Sequence, residues 1–162
     1  MPENLIAIDL SIFYDGANQS VWGCGISSGG AVACWGGVES DPERAAPVSL
    51  QQIAVDQIAV ARNFACALRH DDHKIECWGY PETPGWINLT GIQQSLDVVS
   101  LDVSDDGICA LRSDQTVACV ANNSALATTP AGKFTAIAVT DSFGGFACAL
   151  RLKDGLLIFQ AF

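Results

Sequence analysis

The sequence repeats itself along its whole length, and this repetition constrains the fold more than any other feature. A cysteine-led segment occurs four times, beginning at Cys24, Cys66, Cys109 and Cys148, and reads CGISSGGAVACWG, CALRHDDHKIECWG, CALRSDQTVACVA and CALRLKDGLLIFQA. The segments recur about every 40 residues, and an apolar stretch precedes each of them. We therefore interpret 1-162 as a single repeat domain with units of approximately 5-45, 46-90, 91-130 and 131-162.

Each unit has the alternation of a β-hairpin. In the second unit Cys66 and Leu68 lie at alternate positions before a polar turn, and Ile75 and Cys77 do so after it. A period of two is typical of strands and not of helices. Segments rich in Gly, Ser, Asp and Pro separate the hairpins. The pattern predicts an all-β protein, a propeller-type array of about four antiparallel blades that forms a partial or small β-propeller.

The pattern C-A-L-R-x-D-x-x-V-x-C-W-G, preceded by I-A-V and a short turn, resembles the regulator of chromosome condensation repeat in its cysteine-bearing form. The resemblance touches all four units and is strongest from Cys66 to Gly79. It implies a propeller whose blades each have four antiparallel strands. Members of that family typically carry about seven repeats. Their usual Asn-x-x-Gly-Gln-Leu-Gly run after the Trp-Gly is replaced in this chain.

Six of the seven cysteines form three pairs across the predicted hairpins: Cys24 with Cys34, Cys66 with Cys77, and Cys109 with Cys119. Opposite residues of an antiparallel pair have Cα atoms about 4.5 to 5.5 Å apart, which a disulfide can bridge. We expect three disulfides and hence an extracellular or cell-surface location. The alternative is six reduced, buried thiols. Cys148 has Ile158 or Phe159 in place of a partner cysteine, so we expect a free thiol there.

The turn of the second hairpin is rich in metal-ligating side chains: His70, Asp71, Asp72, His73 and Glu76. They could bind a metal if the turn brought them together, and a solvated hairpin tip explains the same polarity. Another acidic stretch lacks the spacing of an EF-hand loop: Asp102, Asp105 and Asp106. The short Cys-x-x-Cys knuckle of structural zinc sites is absent from the sequence. We expect no metal and no cofactor.

The charge of the chain limits its partners. The net charge is -10, which repels phosphate backbones and anionic lipid and so argues against nucleic acid and membrane surfaces as partners. Apolar runs stay well below the roughly 18 residues of a membrane span, and the first residues lack the basic region of a secretory signal. Three sequons are candidate glycosylation sites in stretches that read as loops: Asn18, Asn88 and Asn122.

The sequence contains no recognisable catalytic pattern. It has no Gly-x-Ser-x-Gly elbow, no phosphate loop, and no histidine outside His70 and His73. We therefore predict a non-catalytic binding or assembly module that contacts a protein partner through its repeats, with a structural subunit of an extracellular assembly as the second interpretation. Four units would leave unpaired edges and apolar faces at the ends of the array, which predicts a homo-oligomer or membership of a larger assembly. The alternative is a compact four-bladed ring closed by the N-terminal strand around Leu5 to Leu10. A carbohydrate-binding, lectin-like propeller is the alternative function.

Overall fold

A computed structural model of the chain describes residues 4–15, 18–36, 44–79, 97–105, 107–121, 131–140, 146–151 and 157–161. For 11–15, 18–20, 121, 140, 146–151 and 157–161 only the path of the strand is described. These residues form four antiparallel sheets of three strands each. A 3-10 helix, Val48–Gln51, precedes the second sheet. Nowhere in the described part of the chain is there a helix of the length and apolarity that crossing a membrane requires.

Each sheet takes its three strands from one contiguous stretch of sequence, in the order in which they occur. The strands are β1 Leu5–Asp15, β2 Asn18–Ser27 and β3 Val32–Trp35 in the first sheet, β4 Val55–Val60, β5 Phe64–Arg69 and β6 Ile75–Gly79 in the second, β7 Val98–Ser104, β8 Gly107–Arg112 and β9 Val117–Ala121 in the third, and β10 Phe134–Thr140, β11 Phe146–Arg151 and β12 Leu157–Ala161 in the fourth. We call the first strand of each sheet its inner strand. The predicted all-β array of four antiparallel units is confirmed.

The strand register follows the alternation of the sequence. In the second sheet Cys66 lies opposite Cys77 and Leu68 lies opposite Ile75. The first and third sheets pair their cysteines in the same way. The described residues give three strands to each sheet, not the four that the resemblance implies. Residues 37–43, 80–96 and 122–130, which follow the third strands, lie outside the described residues.

The same irregularity occurs in the inner strand of every sheet. A β-bulge interrupts the register after Leu5, Val55, Val98 and Phe134. Bulges break the ladder at a defined position, so this one marks equivalent residues in the four sheets. Counting from it, the residues opposite the lead cysteines are Asp9, Ala59, Asp102 and Ala138.

The turn between the second and third strands explains why the cysteine pairs differ in spacing. The cysteines are 10 residues apart in the first and third sheets and 11 in the second. Arg112 donates its N–H to Thr116 across a turn that ends at Gln115, and Arg69 donates its N–H to Lys74 across a turn that is longer by one residue. Gln115 and His73, the last residues of these turns, both have positive φ, as hairpin loops of this kind require. The second turn therefore absorbs the extra residue without shifting the register.

Both faces of β5, the middle strand of the second sheet, are buried. In β5, Phe64, Cys66 and Leu68 lie on one face and Ala65 and Ala67 on the other, and all five are nearly inaccessible to solvent. The period-two alternation of the sequence by itself indicates one apolar face for each hairpin. The second face is buried as well, because the small alanine side chains allow a neighbouring sheet to approach closely.

Candidate functional site

The four sheets are stacked in chain order, and three apolar cores lie between them. We call the face of a sheet that points to the following sheet its forward face, and the opposite face its rear face. The first core joins the forward face of the first sheet, with Trp22, Cys24 and Ile26, to the rear face of the second, with Ile58 and Val60. The second and third cores repeat this arrangement between the following sheets. The three interfaces between neighbouring sheets are therefore built in the same way, from a forward face and the rear face that follows it.

The three predicted cysteine pairs lie at disulfide distance on forward faces. The Sγ atoms are 2.07 Å apart in Cys24–Cys34, 2.05 Å in Cys66–Cys77 and 2.12 Å in Cys109–Cys119. All six cysteines belong to, or pack against, an inter-sheet core. The disulfides thus tie the second and third strands together and also form part of the surface on which the next sheet packs.

Cys148 occupies the equivalent register position in the fourth sheet. The strand register places Phe159 opposite Cys148 on one side and Ala138 on the other. The pairing with Phe159 agrees with the sequence reading. The side chain of Cys148 lies outside the described side chains, so the free thiol stays a prediction.

Two aspartates connect the inner strands of neighbouring sheets. Asp9 Oδ1 accepts the backbone N–H of Leu10 at 2.9 Å, and its Oδ2 accepts the N–H of Val60 in the second sheet at 2.7 Å. Asp102 repeats both bonds one pair of sheets later, with the N–H groups of Val103 at 3.0 Å and Val139 at 2.7 Å. Backbone N–H groups on the edge of a strand need a hydrogen-bond acceptor. Each of these two carboxylates accepts two such N–H groups, one from its own strand and one from the next sheet.

A glutamine makes the corresponding connection between the second and third sheets. Gln57 Nε2 donates to the Leu101 carbonyl at 2.7 Å, and its Oε1 accepts the Leu101 N–H at 2.9 Å. Arg62 N–H also donates to Asp105 Oδ1 at 2.7 Å. Asp102 and Asp105, which the sequence associated weakly with calcium, therefore bind backbone amides. Asp106 lies outside the described residues.

Trp22 joins the first two sheets, a role that the sequence reading did not assign to it. The side chain is fully buried, and Nε1 donates to the carbonyls of Ala61 and Arg62 at 2.9 Å each. The guanidinium of Arg44 lies 5.5 Å from the ring centroid, within the range of a cation–π contact. Trp78 packs against the same core.

The polar turn of the second hairpin forms ion pairs in place of a convergent metal site. His70 Nδ1 lies 2.6 Å from Asp56 Oδ1, and this hydrogen bond raises the pKa of His70. Asp72 pairs with Arg69 and Lys74. Among the described residues, no three His, Cys, Asp or Glu side chains are placed to hold a metal ion. Of the sequons, Asn18 is the first residue of β2 and pairs with Asp15, which corrects its assignment to a loop; Asn88 and Asn122 lie outside the described residues.

The rear face of the first sheet is open. Ile8 and Leu10 on this face are 53% and 42% exposed, whereas the equivalent residues of the second sheet, Ile58 and Val60, are 7% and 6% exposed. Val21 lies beside them on β2 and is also exposed. We call Ile8, Leu10 and Val21 the open rear face. Its residues have the character of an inter-sheet core, and none of the four sheets that the structure describes covers them.

This stacking of small antiparallel meanders matches solved structures over nearly the whole chain. The ectodomain of the Physcomitrella patens receptor kinase CR4 is similar with a TM-score of 0.70 and 15% identity, over 96% of this chain and 53% of that chain. The fold is that of a β-propeller. Its three-stranded sheets are therefore propeller blades.

Two further propellers show the same likeness. The CRINKLY WD40 ectodomain of the Arabidopsis thaliana receptor kinase ACR4 has a TM-score of 0.64 and 17% identity, over 94% of this chain and 49% of that chain. Yeast RCC1 (Prp20), in a structure bound to Kap60, has a TM-score of 0.59 and 14% identity, over 87% and 42%. The chain thus spans about half the length of these propellers or less. Yeast RCC1 is therefore among the propellers that this chain resembles in fold, while no protein-family model and no curated sequence matches the chain.

Proposed function

We propose that this chain is a non-catalytic, protein-binding propeller module and that it binds through the open rear face of its first blade. The observation that carries the proposal is the exposure of Ile8 and Leu10 at positions that are buried in the second and third blades. Contiguous exposed apolar side chains mark interaction surfaces in soluble proteins. Burial of this face by a partner would remove apolar surface from water and so favour binding.

The chemistry of the face favours a protein partner. Its three side chains are aliphatic, and a polar ligand such as a sugar would leave them without apolar contacts. The yeast RCC1 structure shows a propeller of this fold in complex with another protein, Kap60. The carbohydrate-binding alternative is tested by a glycan array, on which we expect no strong binding.

We also propose that the protein acts in an extracellular or cell-surface setting, as a structural subunit of an assembly. The three cysteine pairs at disulfide distance support this location, because structural disulfides persist in oxidising compartments. Two of the similar propellers are receptor ectodomains. Glycosylation at Asn18, Asn88 or Asn122 would fit the same setting and remains a prediction.

Site-specific photo-cross-linking tests the binding face. A photoreactive amino acid replaces Ile8 in one preparation and Val48, which is exposed outside the face, in the other. Each is irradiated with extracts and secreted fluid of the cells that make the protein, and adducts are identified by mass spectrometry. We expect a protein adduct from position 8 that Leu10→Arg abolishes, and none from position 48. The absence of any protein adduct at position 8, including one to the chain itself, would overturn the proposal.

A further inference from the structure

The inner strand of the fourth blade exposes two alanines on its forward side, which complement the open rear face of the first blade. Ala136 and Ala138 of β10 are exposed, whereas Ala59, which is equivalent to Ala138 in the second blade, is buried against the third blade. Forward faces meet rear faces three times within the chain, always in the same orientation. The chain therefore presents the two halves of an interface that it already forms internally.

The residue opposite the lead cysteine alternates between aspartate and alanine from blade to blade, and this alternation would continue from the fourth blade of one copy to the first blade of another. Asp9 and Asp102 lie opposite the lead cysteine in the first and third blades, and Ala59 and Ala138 lie there in the second and fourth. Where the second blade meets the third, Ala59 supplies no acceptor, and Asp102 of the third blade accepts the N–H of its own neighbour Val103. The second blade can therefore precede the third without leaving the N–H of Val103 unpaired.

The fourth blade can precede the first in the same way. Ala138 supplies no acceptor, and the N–H of Leu10 is already bonded to Asp9. Ala136 stands at the position of Gln57, which makes this junction more apolar than the one between the second and third blades. Ala136 and Ala138 would thus meet the apolar pair Ile8 and Leu10.

From this complementarity we infer that the open rear face binds the forward face of the fourth blade of a second copy. This inference rests on the proposed function, since it names the partner of the same face. Two identical head-to-tail contacts would join two copies, each with four blades, into a closed ring of eight. Each copy would then fill about half of a ring, in keeping with its coverage of 53% and 49% of the plant propeller chains.

The mass of the protein in solution is the first test. Light scattering coupled to size exclusion at micromolar concentration should show a species of twice the chain mass of 17.0 kDa. Because each copy carries a net charge of -10, higher salt should screen their repulsion and increase the fraction of this species. A species of one chain mass at every salt concentration would overturn the inference, and so would a mass above two chains.

Paired variants test the head-to-tail arrangement. Ile8→Arg alters only the rear face of the first blade and Ala138→Arg only the forward face of the fourth, and both positions are exposed within one copy. Each variant alone should lose the two-chain species while keeping the circular dichroism and unfolding midpoint of the parent. Val48→Arg, a change at an exposed site outside both faces, should leave the two-chain species intact.

Mixing the two variants provides the decisive measurement. The Ile8→Arg copy keeps an unaltered fourth blade, and the Ala138→Arg copy keeps an unaltered first blade. An equimolar mixture should therefore recover a two-chain species that is held by one contact between these two blades. A symmetric contact between two rear faces predicts the opposite, namely that Ala138→Arg has no effect, and that result would overturn the inference. If the chain is monomeric but position 8 cross-links to a different protein, the inference fails while the proposed function stands.

Discussion

The carboxylate of Asp9 in the first blade accepts the backbone N–H of Val60 in the second blade at 2.7 Å. The two residues are 51 positions apart in sequence, and Asp102 and Val139 repeat the contact between the third and fourth blades. Each carboxylate also accepts the N–H of the residue that follows it. Two side chains thus accept one backbone N–H from the inner strand of each of the four blades. The carboxylates join the first blade to the second and the third to the fourth, and apolar cores join all neighbouring blades.

Asp9→Ala and Asp102→Ala should each destabilise the protein. Removal of either carboxylate leaves the half-buried N–H of Val60 or Val139 without its acceptor, which costs about 1 to 3 kcal/mol. Urea unfolding followed by circular dichroism measures the loss as a lower midpoint at unchanged slope. Asp71→Ala, at an exposed turn position, is the control and should leave the midpoint unchanged. Equal midpoints for all three variants would contradict the bridging role.

Leu68→Asp should prevent stable folding. Leu68 is 1% exposed in the core between the second and third blades, where a carboxylate would find no partner. Burial of an unpaired charge costs several kcal/mol, a large part of the roughly 5 to 15 kcal/mol that stabilise a typical domain. Loss of the cooperative transition in thermal unfolding is the expected result.

Asp72→Ser is the matched control from the same hairpin. Asp72 is partly exposed, and its pairs with Arg69 and Lys74 are of the surface kind, worth below about 1 kcal/mol. A melting temperature close to that of the parent is expected. If Leu68→Asp melted at the same temperature as this control, the assignment of the buried face would be wrong.

The hairpins could be predicted from the sequence because their information is local. Period-two alternation around a short turn specifies which residues lie opposite each other, and the structure has Cys24 opposite Cys34 and Cys109 opposite Cys119 accordingly. The repeat also gave the number of blades. A longer turn in the second hairpin, which ends at His73, does not disturb this pattern, because the added residue stays within the turn.

The contacts between blades could not be predicted in the same way. Alternation does not tell which sheet covers which face, so the roles of Trp22, Gln57 and Asp9 were missed. A signal was present in the sequence: once the units are aligned at the lead cysteines and the bulges, aspartate and alanine alternate at the position opposite the cysteine. The first hairpin hides this signal, because β1 and β2 extend well beyond the inner strands of the other units.

The pair of His70 and Asp56 should make the second turn sensitive to pH. The hydrogen bond and the charge of Asp56 raise the pKa of His70 above 6.5. The favourable contact is therefore fully present below about pH 6.5 and is lost as the pH rises through the higher pKa of the folded state. NMR titration of the His70 ring should give a pKa above that of the same residue in Asp56→Asn. Coinciding titration curves would refute the pairing.

Reduction of the three cysteine pairs should lower the stability of the blades. Each disulfide closes a loop with a sequence separation of 10 or 11 residues, and such a constraint on the unfolded chain contributes roughly 2 to 3 kcal/mol. Urea unfolding with and without reductant should show a clear fall in midpoint. An unchanged midpoint, with reduction verified by mass, would show that the pairs contribute nothing to stability.

The oxidation state itself is decided by thiol labelling of the seven cysteines. In denaturant without reductant, an alkylating agent should add one label, to Cys148, because Phe159 occupies the register position of its partner while the other six cysteines are paired. After reduction the protein should take up seven labels. Cys148→Ser should take up none before reduction, which assigns the single label. Six labels on unreduced Cys148→Ser would mean that the pairs are thiols, and the argument from disulfides to an oxidising compartment would fail with them.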